Sequence, residues 1–120
     1  MNKSAPAIKM YGIKNCDTVK KARSWLDAKG IAYAFHDYKK AGADAGKLAS
    51  WSDARGWETI LNRAGTTFKK LPDADKADLT QAKAIKLMTG QPSMIKRPVV
   101  EYPGGLLVGF KLPEWEAAFG

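Results

Sequence analysis

The spacing of apolar residues changes along the first third of the chain, and each spacing predicts an element. Residues 8–12 form a mostly apolar run whose length is typical of a short buried strand. Over residues 17–29, apolar side chains recur at intervals of three and four, which predicts an amphipathic helix. These side chains belong to Val19, Ala22 and Leu26. Gly30 follows where helices commonly end in a left-handed residue. In residues 31–36, large apolar side chains alternate with smaller or polar ones, which predicts a second strand.

The middle of the chain reads as helical. Residues 44–55 and 80–89 carry apolar positions at helical spacing, and residues 57–62 predict a shorter helix or turn. The apolar positions of the two longer segments are Leu48 and Trp51 in the first and Ala82, Ile85 and Met88 in the second. The tripeptide Gly65-Thr66-Thr67 predicts a break, and Gly90 predicts the end of the last of these helices.

The last third predicts two strands and one helix. Residues 99–102 and 106–110 are apolar runs joined by Pro103-Gly104-Gly105, a loop short enough for an antiparallel hairpin. The final helix begins at Pro113, and its apolar positions are Leu112, Trp115 and Phe119.

The order of these elements predicts the fold. A strand-helix-strand unit implies a parallel pair with a right-handed crossover. In this chain that unit is followed by helices and then by a strand-strand-helix unit. The whole order predicts an α/β thioredoxin-like fold with a helical insertion between the second and third strands. We expect one domain over residues 1–120, with the insertion at about residues 39–90. This architecture places a cis-proline at the start of the third strand, and Pro98 is the candidate. Because only about 5% of X–Pro bonds are cis, the sequence leaves its isomer open.

Composition excludes several classes of protein. The 120 residues are 45% hydrophobic, which suits a single modest core. The single cysteine cannot form an intramolecular disulfide, the first residues lack the apolar segment of a signal peptide, and no stretch approaches the length of a membrane span. We therefore expect a cytoplasmic protein that does not bind a membrane, and we expect it to be a monomer.

The net charge of +8 raises the question of nucleic-acid binding. Lysines and arginines are scattered along the whole chain in runs of no more than two, and no nucleic-acid-binding signature is present. We interpret the charge as a solvated basic surface and expect no nucleic-acid partner. Such a surface still attracts anions, including glutathione and oxyanions.

Cys16 is the most informative residue for function. It lies between the first strand and the first helix, where unpaired backbone N–H groups favour negative charge. The thiolate is the nucleophile of sulfur chemistry, so a cysteine at this position is a candidate for a lowered pKa and catalysis. Lys14 adds positive charge nearby, whereas Asp17 opposes it. The alternative is a buried, inert cysteine, because free cysteines are often buried.

The only histidine is a weaker candidate. A Cys–His pair would activate the thiol directly, but we expect His36 at the end of the second strand far from the Cys16 loop. We therefore interpret His36 as structural. One cysteine and one histidine cannot complete a tetrahedral zinc site, so we expect no metal.

Four segments together resemble the arsenate reductase (ArsC) family. They are residues 11–18 (Tyr-Gly-Ile-Lys-Asn-Cys-Asp-Thr), residues 35–38 (Phe-His-Asp-Tyr), Gly65-Thr66-Thr67 and residues 95–98 (Ile-Lys-Arg-Pro). The resemblance extends over nearly the whole chain and is nearest to the YffB-like branch, whose relatives include the transcription regulator Spx. It implies a thioredoxin-like fold with a helical insertion and thiol chemistry linked to glutathione or glutaredoxin.

The resemblance also assigns roles to residues. Cys16 matches the family's nucleophile, and Arg97, directly before Pro98, matches an arginine that binds an oxyanion. Arg63 lies close to the position of a second family arginine. We therefore predict a site for an oxyanion or glutathione composed of Arg97, Lys14, Asn15, Arg63 and Pro98, with Cys16 as the catalytic residue.

The chain departs from the family pattern at four places. Asn62 aligns with the second arginine of arsenate reductases, and close relatives carry an arginine where this chain has Ala64. A third oxyanion arginine falls near Gly109-Phe110, where no arginine is present. Val19 occupies the position of the second cysteine of the Spx redox switch. These departures weaken the case for arsenate reduction and for that switch.

Three functions remain open. The first is a monothiol oxidoreductase in which Cys16 is the nucleophile and glutathione, as co-substrate, resolves the adduct, with no bound cofactor. The second is an arsenate reductase that uses glutathione and glutaredoxin. The third is a non-enzymatic, Spx-like regulator that binds RNA polymerase.

Overall fold

The computed structural model describes residues 7–120, apart from the side chains at positions 39 and 41. Its contacts divide into two compact units. The first contains the described residues up to Ala41 together with Arg97–Gly120, and the second contains Gly42–Lys96. The helical insertion is therefore this second unit, which begins and ends somewhat later than the predicted residues 39–90.

The first unit is built on a four-stranded mixed sheet. Its strands are β1 (Lys9–Gly12), β2 (Ala34–Asp37), β3 (Val99–Tyr102) and β4 (Gly105–Val108), in the order β2-β1-β3-β4. β1 pairs with β2 in parallel, β1 pairs with β3 antiparallel, and β3 and β4 form the antiparallel hairpin. The predicted thioredoxin-like α/β architecture is confirmed.

Helix α1 (Asp17–Ala28) connects the two parallel strands. The predicted apolar face is buried, since Val19, Ala22 and Leu26 have no exposed surface. The helix ends in a Schellman motif: Gly30 has φ +69°, its N–H donates to the carbonyl of Asp27, and the N–H of Ile31 donates to the carbonyl of Leu26. β2 begins three residues later than predicted because this turn continues beyond Gly30.

The first unit also contains the short helix α2 (Tyr38–Ala41), and the chain ends in the helix that we label α8 (Leu112–Phe119). Trp115 of α8 is fully buried, and its Nε1–H donates to the carbonyl of Gly109 at 3.0 Å. Leu112, another of the apolar positions that predicted this helix, is 43% exposed. One core cluster joins α1, the sheet and α8; its buried members are Met10, Val19, Ala22, Leu26, Val100, Leu107 and Trp115.

The second unit is helical. Its elements are α3 (Ala45–Arg55), α4 (Trp57–Ile60), α5 (Thr66–Lys69), α6 (Asp73–Lys76), α7 (Gln81–Gly90) and a 3-10 turn at Pro92–Met94. Asp44 caps α3 by accepting from the N–H of Lys47, and Thr80 caps α7 by accepting from the N–H of Lys83. The unit is closed by an antiparallel bridge between Leu61 and Ile95.

One prediction in this unit needs correction, and the burial of a second helix differs from its apolar pattern. Gly65-Thr66-Thr67 is not simply a break, because Gly65 precedes the first turn of α5 and both threonines are helical. On α7 the buried residues are Ala84 and Met88, whereas Ala82 is exposed. The apolar spacing of residues 80–89 is compatible with burial of more than one face of the helix, and tertiary packing selects the face that is buried.

Within residues 7–120, no helix combines the length and the apolar composition that a membrane crossing requires.

Candidate active site

Cys16 lies where the chain passes from β1 into α1. Gly12 ends the strand, the exposed residues Lys14 and Asn15 form the loop, and Cys16 is the N-cap residue of the helix, with extended backbone angles (φ −128°, ψ 125°). The side chain is partly exposed and also packs against the core cluster of the first unit. It makes no regular capping hydrogen bond. The sulfur is therefore held in place and remains accessible.

The environment of Cys16 lowers the pKa of its thiol below the ordinary value. Partial burial acts to raise the pKa, because it removes water from the charged form. This effect is outweighed first by the backbone N–H of Val19, then by hydrogen bonding and charge from Arg97, and last by the N–H of Thr18. All three donors favour the thiolate, which is the nucleophilic form.

Arg97 reaches this site from the other end of the chain. It lies two residues before the start of β3, and the Arg97–Pro98 peptide bond is cis. The N–H of Gly109 donates to the carbonyl of Pro98 at 2.8 Å, so the segment after β4 supports this turn. The structure therefore brings together the two residues, Cys16 and Arg97, to which the resemblance assigns the nucleophile and an oxyanion-binding cation.

Sequence reasoning missed a polar cluster on the sheet. Tyr11 on β1 donates from its hydroxyl to Oε1 of Glu101 on β3 at 3.0 Å. The ring of His36 on β2 lies 5.0 Å from the ring of Tyr11 and 6.3 Å from that of Tyr38. The sequence signal for this cluster is that Tyr11, His36 and Tyr38 belong to the family-like segments at residues 11–18 and 35–38; Glu101 belongs to neither.

Tyr38 connects the cluster electrostatically to Arg97. Its side chain is 2% exposed, and its hydroxyl has no hydrogen-bond partner in the part of the chain that the structure describes. Burial raises the pKa of Tyr38 far above its ordinary value, with further increases from Tyr11 and Glu101, while the positive charge of Arg97 opposes the increase. The charge of Arg97 thus acts on both Tyr38 and Cys16.

The predicted location of His36 is wrong. Tyr11 pairs with His36 and Gly12 with Asp37, so His36 lies at the end of β2 that is beside the end of β1. Parallel strands end at the same edge of a sheet, and the Cys16 loop leaves β1 at that edge. The parallel pairing that the strand-helix-strand unit predicts already requires the end of β2 to lie beside the Cys16 loop, and the predicted location of His36 conflicted with that pairing.

Three further predicted site residues, Lys14, Asn15 and Arg63, lie at exposed positions of the chain. Lys14 and Asn15 are exposed on the loop that precedes Cys16. Arg63 is exposed in the second unit, with its guanidinium carbon 5.7 Å from the ring centroid of Trp57. The roles of these three residues stay predictions. No cluster of histidine, cysteine or acidic residues suited to a metal ion is found among residues 7–120.

Two of the positions that depart from the family pattern, Phe110 and Val19, have structural roles. Phe110, near the position of a third oxyanion arginine, packs edge-on against Trp115 with ring centroids 4.8 Å apart. Val19, at the position of the second Spx cysteine, is fully buried in the core cluster. Both side chains contribute packing at positions where the resemblance implies a cation or a second thiol.

Comparison with known proteins confirms the predicted resemblance. The profile of the ArsC family matches residues 11–118 of this chain. A solved structure of a protein named YFFB is 59% identical, covers 94% of this chain and 99% of its own, and superposes with a TM-score of 0.92. An arsenate reductase (ArsC) related protein from Brucella melitensis is 52% identical, with 98% of each chain covered and a TM-score of 0.75.

The chain is also similar to transcription regulators. The global transcriptional regulator Spx of Streptococcus mutans is 26% identical over 106 residues, which cover 86% of this chain and 76% of the regulator. The relatives therefore include both reductase-like proteins and regulators.

Proposed function

This chain belongs to the ArsC family and has the fold of arsenate reductase-like thiol oxidoreductases, and from that premise we propose that it is a glutathione-linked monothiol reductase. Cys16 is its nucleophile, and glutathione is the co-substrate that restores it. Arg97 stabilises the thiolate and provides a fixed positive charge for an anionic substrate. No bound cofactor is needed for this chemistry.

The observation that carries the proposal is the environment of Cys16. A half-exposed thiol at a helix N-cap, with backbone N–H groups and a guanidinium that favour its charged form, is what a nucleophilic cysteine requires. An inert structural cysteine would instead be buried in apolar surroundings, with a raised pKa.

The reaction has two balanced steps. In the first, the Cys16 thiolate attacks the disulfide between glutathione and a substrate thiol. A Cys16–glutathione disulfide forms, the original S–S bond breaks, and the substrate leaves as a thiolate that takes a proton from water. In the second, the thiolate of another glutathione attacks this mixed disulfide, which releases the Cys16 thiolate and oxidised glutathione. The two electrons that reduce the substrate come from the two glutathione sulfurs.

Glutathione fits the composition of the chain. Cys16 is the only cysteine, so the enzyme cannot resolve its own adduct by an internal disulfide. An external thiol must do so, and the net charge of +8 favours an anionic one.

The test has two parts on purified protein. Incubation with oxidised glutathione should add one glutathione per chain, seen by intact mass, and the adduct should be absent in Cys16→Ser. With a glutathionylated substrate and reduced glutathione, the wild type should turn over and Cys16→Ser should not. A protein that forms no adduct, or only disulfide-linked dimers, is not a glutathione-linked reductase.

Arsenate reduction is a second candidate, favoured by the position of Arg97 beside Cys16. Arsenate must lose water to reach the thiolate, so several fixed donors are needed to offset its desolvation. Each missing charge-assisted hydrogen bond weakens oxyanion capture by about 1.5–3 kcal/mol, and the site near Phe110 provides packing instead of a cation. We therefore expect weak arsenate turnover in an assay with glutathione and glutaredoxin. Efficient turnover that is lost in Cys16→Ser and sharply reduced in Arg97→Ala would reverse this ranking.

A regulatory role is the third candidate, favoured by the similarity to Spx. Val19 replaces the second switch cysteine, so such a regulator would act without an internal disulfide. Binding of the purified chain to purified RNA polymerase, measured by size-exclusion chromatography, tests this role. A stable complex together with no thiol turnover would favour it over the reductase.

A further inference from the structure

A shallow, mostly apolar groove of about 540 Å³ lies on the first unit, between the middle of α1 and the segment that leads into α8. It is lined by Trp25, Phe110 and Leu112 and by Lys20, Lys21 and Ser24. None of these residues belongs to the polar cluster around Arg97. The site described above therefore leaves this groove without a role.

The apolar floor of the groove packs on buried aromatic residues of the core. The ring of Trp25 makes edge-on contacts with Phe110 at 6.3 Å and with Trp115 at 5.8 Å, and Trp115 is fully buried. Leu112 extends this floor and is the exposed large hydrophobic side chain of the described residues, at 43% exposure. An exposed leucine beside a rigid aromatic surface is typical of a site that covers an apolar group of a partner.

The rim of the groove is positively charged. Lys20 and Lys21 are exposed, and the six lining residues include no carboxylate. Lys29 adds a further charge, with its Nζ 4.9 Å from the centroid of the Trp25 ring. Asp17 is one helical turn before the two rim lysines and compensates only part of this charge. The groove thus combines an apolar floor with a cationic edge.

Both walls of the groove start from segments that hold the active site. The N–H of Lys20 donates to the carbonyl of Cys16 at 2.9 Å, so this lysine is one helical turn from the nucleophile. On the other wall, Phe110 follows Gly109, whose N–H donates to the carbonyl of Pro98, the residue after Arg97. A chain bound in the groove would therefore lie close to the thiol.

We propose that this groove docks an extended protein segment whose glutathione adduct is reduced at Cys16. A large apolar side chain of the segment packs on Trp25, Phe110 and Leu112, and acidic side chains next to it pair with Lys20 and Lys21. The inference rests on the proposed function and specifies its substrate class: acidic protein segments with an apolar residue. Glutathione alone has no large apolar side chain to fill such a groove.

Binding is tested first without chemistry. The Cys16→Ser protein is titrated with a fluorescent peptide that carries glutamates on both sides of a phenylalanine. We expect saturable binding, and about tenfold weaker binding when the phenylalanine is replaced by serine or the glutamates by lysines. A two-dimensional NMR spectrum should show the Trp25 indole N–H, assigned with Trp25→Phe, shifting on titration.

Two charge-reversed variants separate the groove from the overall charge of the protein. Lys20→Glu with Lys21→Glu should weaken peptide binding by about tenfold or more. Lys69→Glu with Lys70→Glu reverses an equally adjacent, exposed pair in the second unit and should retain binding. Equal loss in both double variants, or no loss in either, would overturn the inference, as would a spectrum in which the Trp25 signal does not move.

Turnover measurements with two substrates test the docking groove separately from the proposed reductase function. Leu112→Ser changes an exposed side chain, and circular dichroism checks its folding. It should slow reduction of the glutathionylated acidic peptide several-fold and leave the reaction of Cys16 with bis(2-hydroxyethyl) disulfide unchanged. If neither disulfide reacts in the wild type, the reductase proposal fails, whatever the peptide binds. If both react but Leu112→Ser has no effect, or if the groove instead mediates dimerisation in sedimentation experiments, the docking inference fails and the reductase proposal stands.

Discussion

At the scale of single residues, one guanidinium acts on two titratable groups of the first unit. Arg97 favours the charged form of Cys16 and opposes the effect of burial on Tyr38. The two neighbours differ in chemistry: the thiol is accessible and nucleophilic, whereas the phenol is 2% exposed and stays neutral. The reactivity of Cys16 therefore depends on a residue that is near the opposite end of the chain.

Replacement of Arg97 should make Cys16 less reactive. Arg97→Gln removes both a hydrogen bond and a positive charge that lower the pKa of the thiol, so the rate of iodoacetamide alkylation at neutral pH should fall several-fold. The pH profile of alkylation should shift upward, while the limiting rate at high pH changes little. Arg97→Lys should restore part of the effect, because it returns the charge without the planar guanidinium.

Lys69→Gln is the control, because it removes one positive charge from an exposed position in the second unit. Its alkylation profile should match that of the wild type. A wild-type profile with a pKa at or above that of a free thiol, about 8.5, would contradict the assignment of Cys16 as an activated nucleophile.

The lowered pKa of Cys16 also links stability to pH. The folded protein favours the thiolate, so the stabilisation is complete above the unfolded pKa of about 8.5 and is lost as pH falls through the lower folded pKa. The free energy of unfolding of the wild type, relative to that of Cys16→Ser, should therefore increase with pH up to about 9 and then become constant. Guanidinium denaturation at several pH values measures it. A difference that stays constant or decreases with pH would show that the folded thiol pKa is not lowered.

At the scale of elements, the packing of β1 against α1 positions the nucleophile. Gly12 ends β1, and a Cβ placed there would approach Cγ2 of Val19 to 2.9 Å. Val19 is fully buried and β-branched, so its side chain has little freedom to move. Its backbone N–H also stabilises the Cys16 thiolate. Close contact between Gly12 and Val19 therefore helps to position the first turn of α1, and with it the Val19 N–H, next to the Cys16 sulfur.

Gly12→Ala should accordingly destabilise the protein by about 1–3 kcal/mol, because the added methyl group overpacks this contact. Iodoacetamide alkylation should slow as well, since the displaced turn moves the Val19 N–H. Gly90→Ala is the matched control: a Cβ at Gly90 meets no atom within 4 Å, and the change should be neutral or stabilising by up to about 1 kcal/mol. Denaturant melts of both variants give the comparison. Equal stabilities would mean that β1 and α1 are packed less tightly than the structure shows.

At the scale of the whole molecule, the net charge of +8 should affect how fast substrates arrive. Long-range attraction raises the association rate of anions and is screened by salt, with a Debye length of about 10 Å at 0.1 M ionic strength. Oxidised glutathione is anionic, and bis(2-hydroxyethyl) disulfide is neutral.

The rate of adduct formation at Cys16 with oxidised glutathione should fall a few-fold between about 0.02 and 0.5 M salt, whereas the rate with the neutral disulfide should hardly change. Quenched-flow sampling, with the adduct detected by intact mass, measures the rates with both disulfides. If salt slows both reactions equally, the charge acts on the thiol itself and not on the approach of the anion.

The sequence by itself determined the features that depend on neighbours along the chain. Apolar spacing located α1 and its buried face, Gly30 marked its left-handed end, and the short loop after Tyr102 marked the hairpin. Cys16 at the start of a helix could be identified as the candidate nucleophile for the same reason, because a helix N-terminus and its free N–H groups are local features. The order of these elements then sufficed for the thioredoxin-like fold.

Tertiary structure alone decided which distant residues meet. The hydrogen bond from Tyr11 to Glu101 joins residues 90 positions apart, and the approach of Arg97 to Cys16 is equally non-local. Neither follows from spacing, because both depend on strand order and register. The register of β2 against β1 places His36 beside Tyr11, and packing selected which residues of α7 are buried. The exposure of Leu112, and with it the groove between α1 and α8, also arises only when these two helices pack on the same core, since an amphipathic pattern does not specify which apolar side chains the core leaves uncovered.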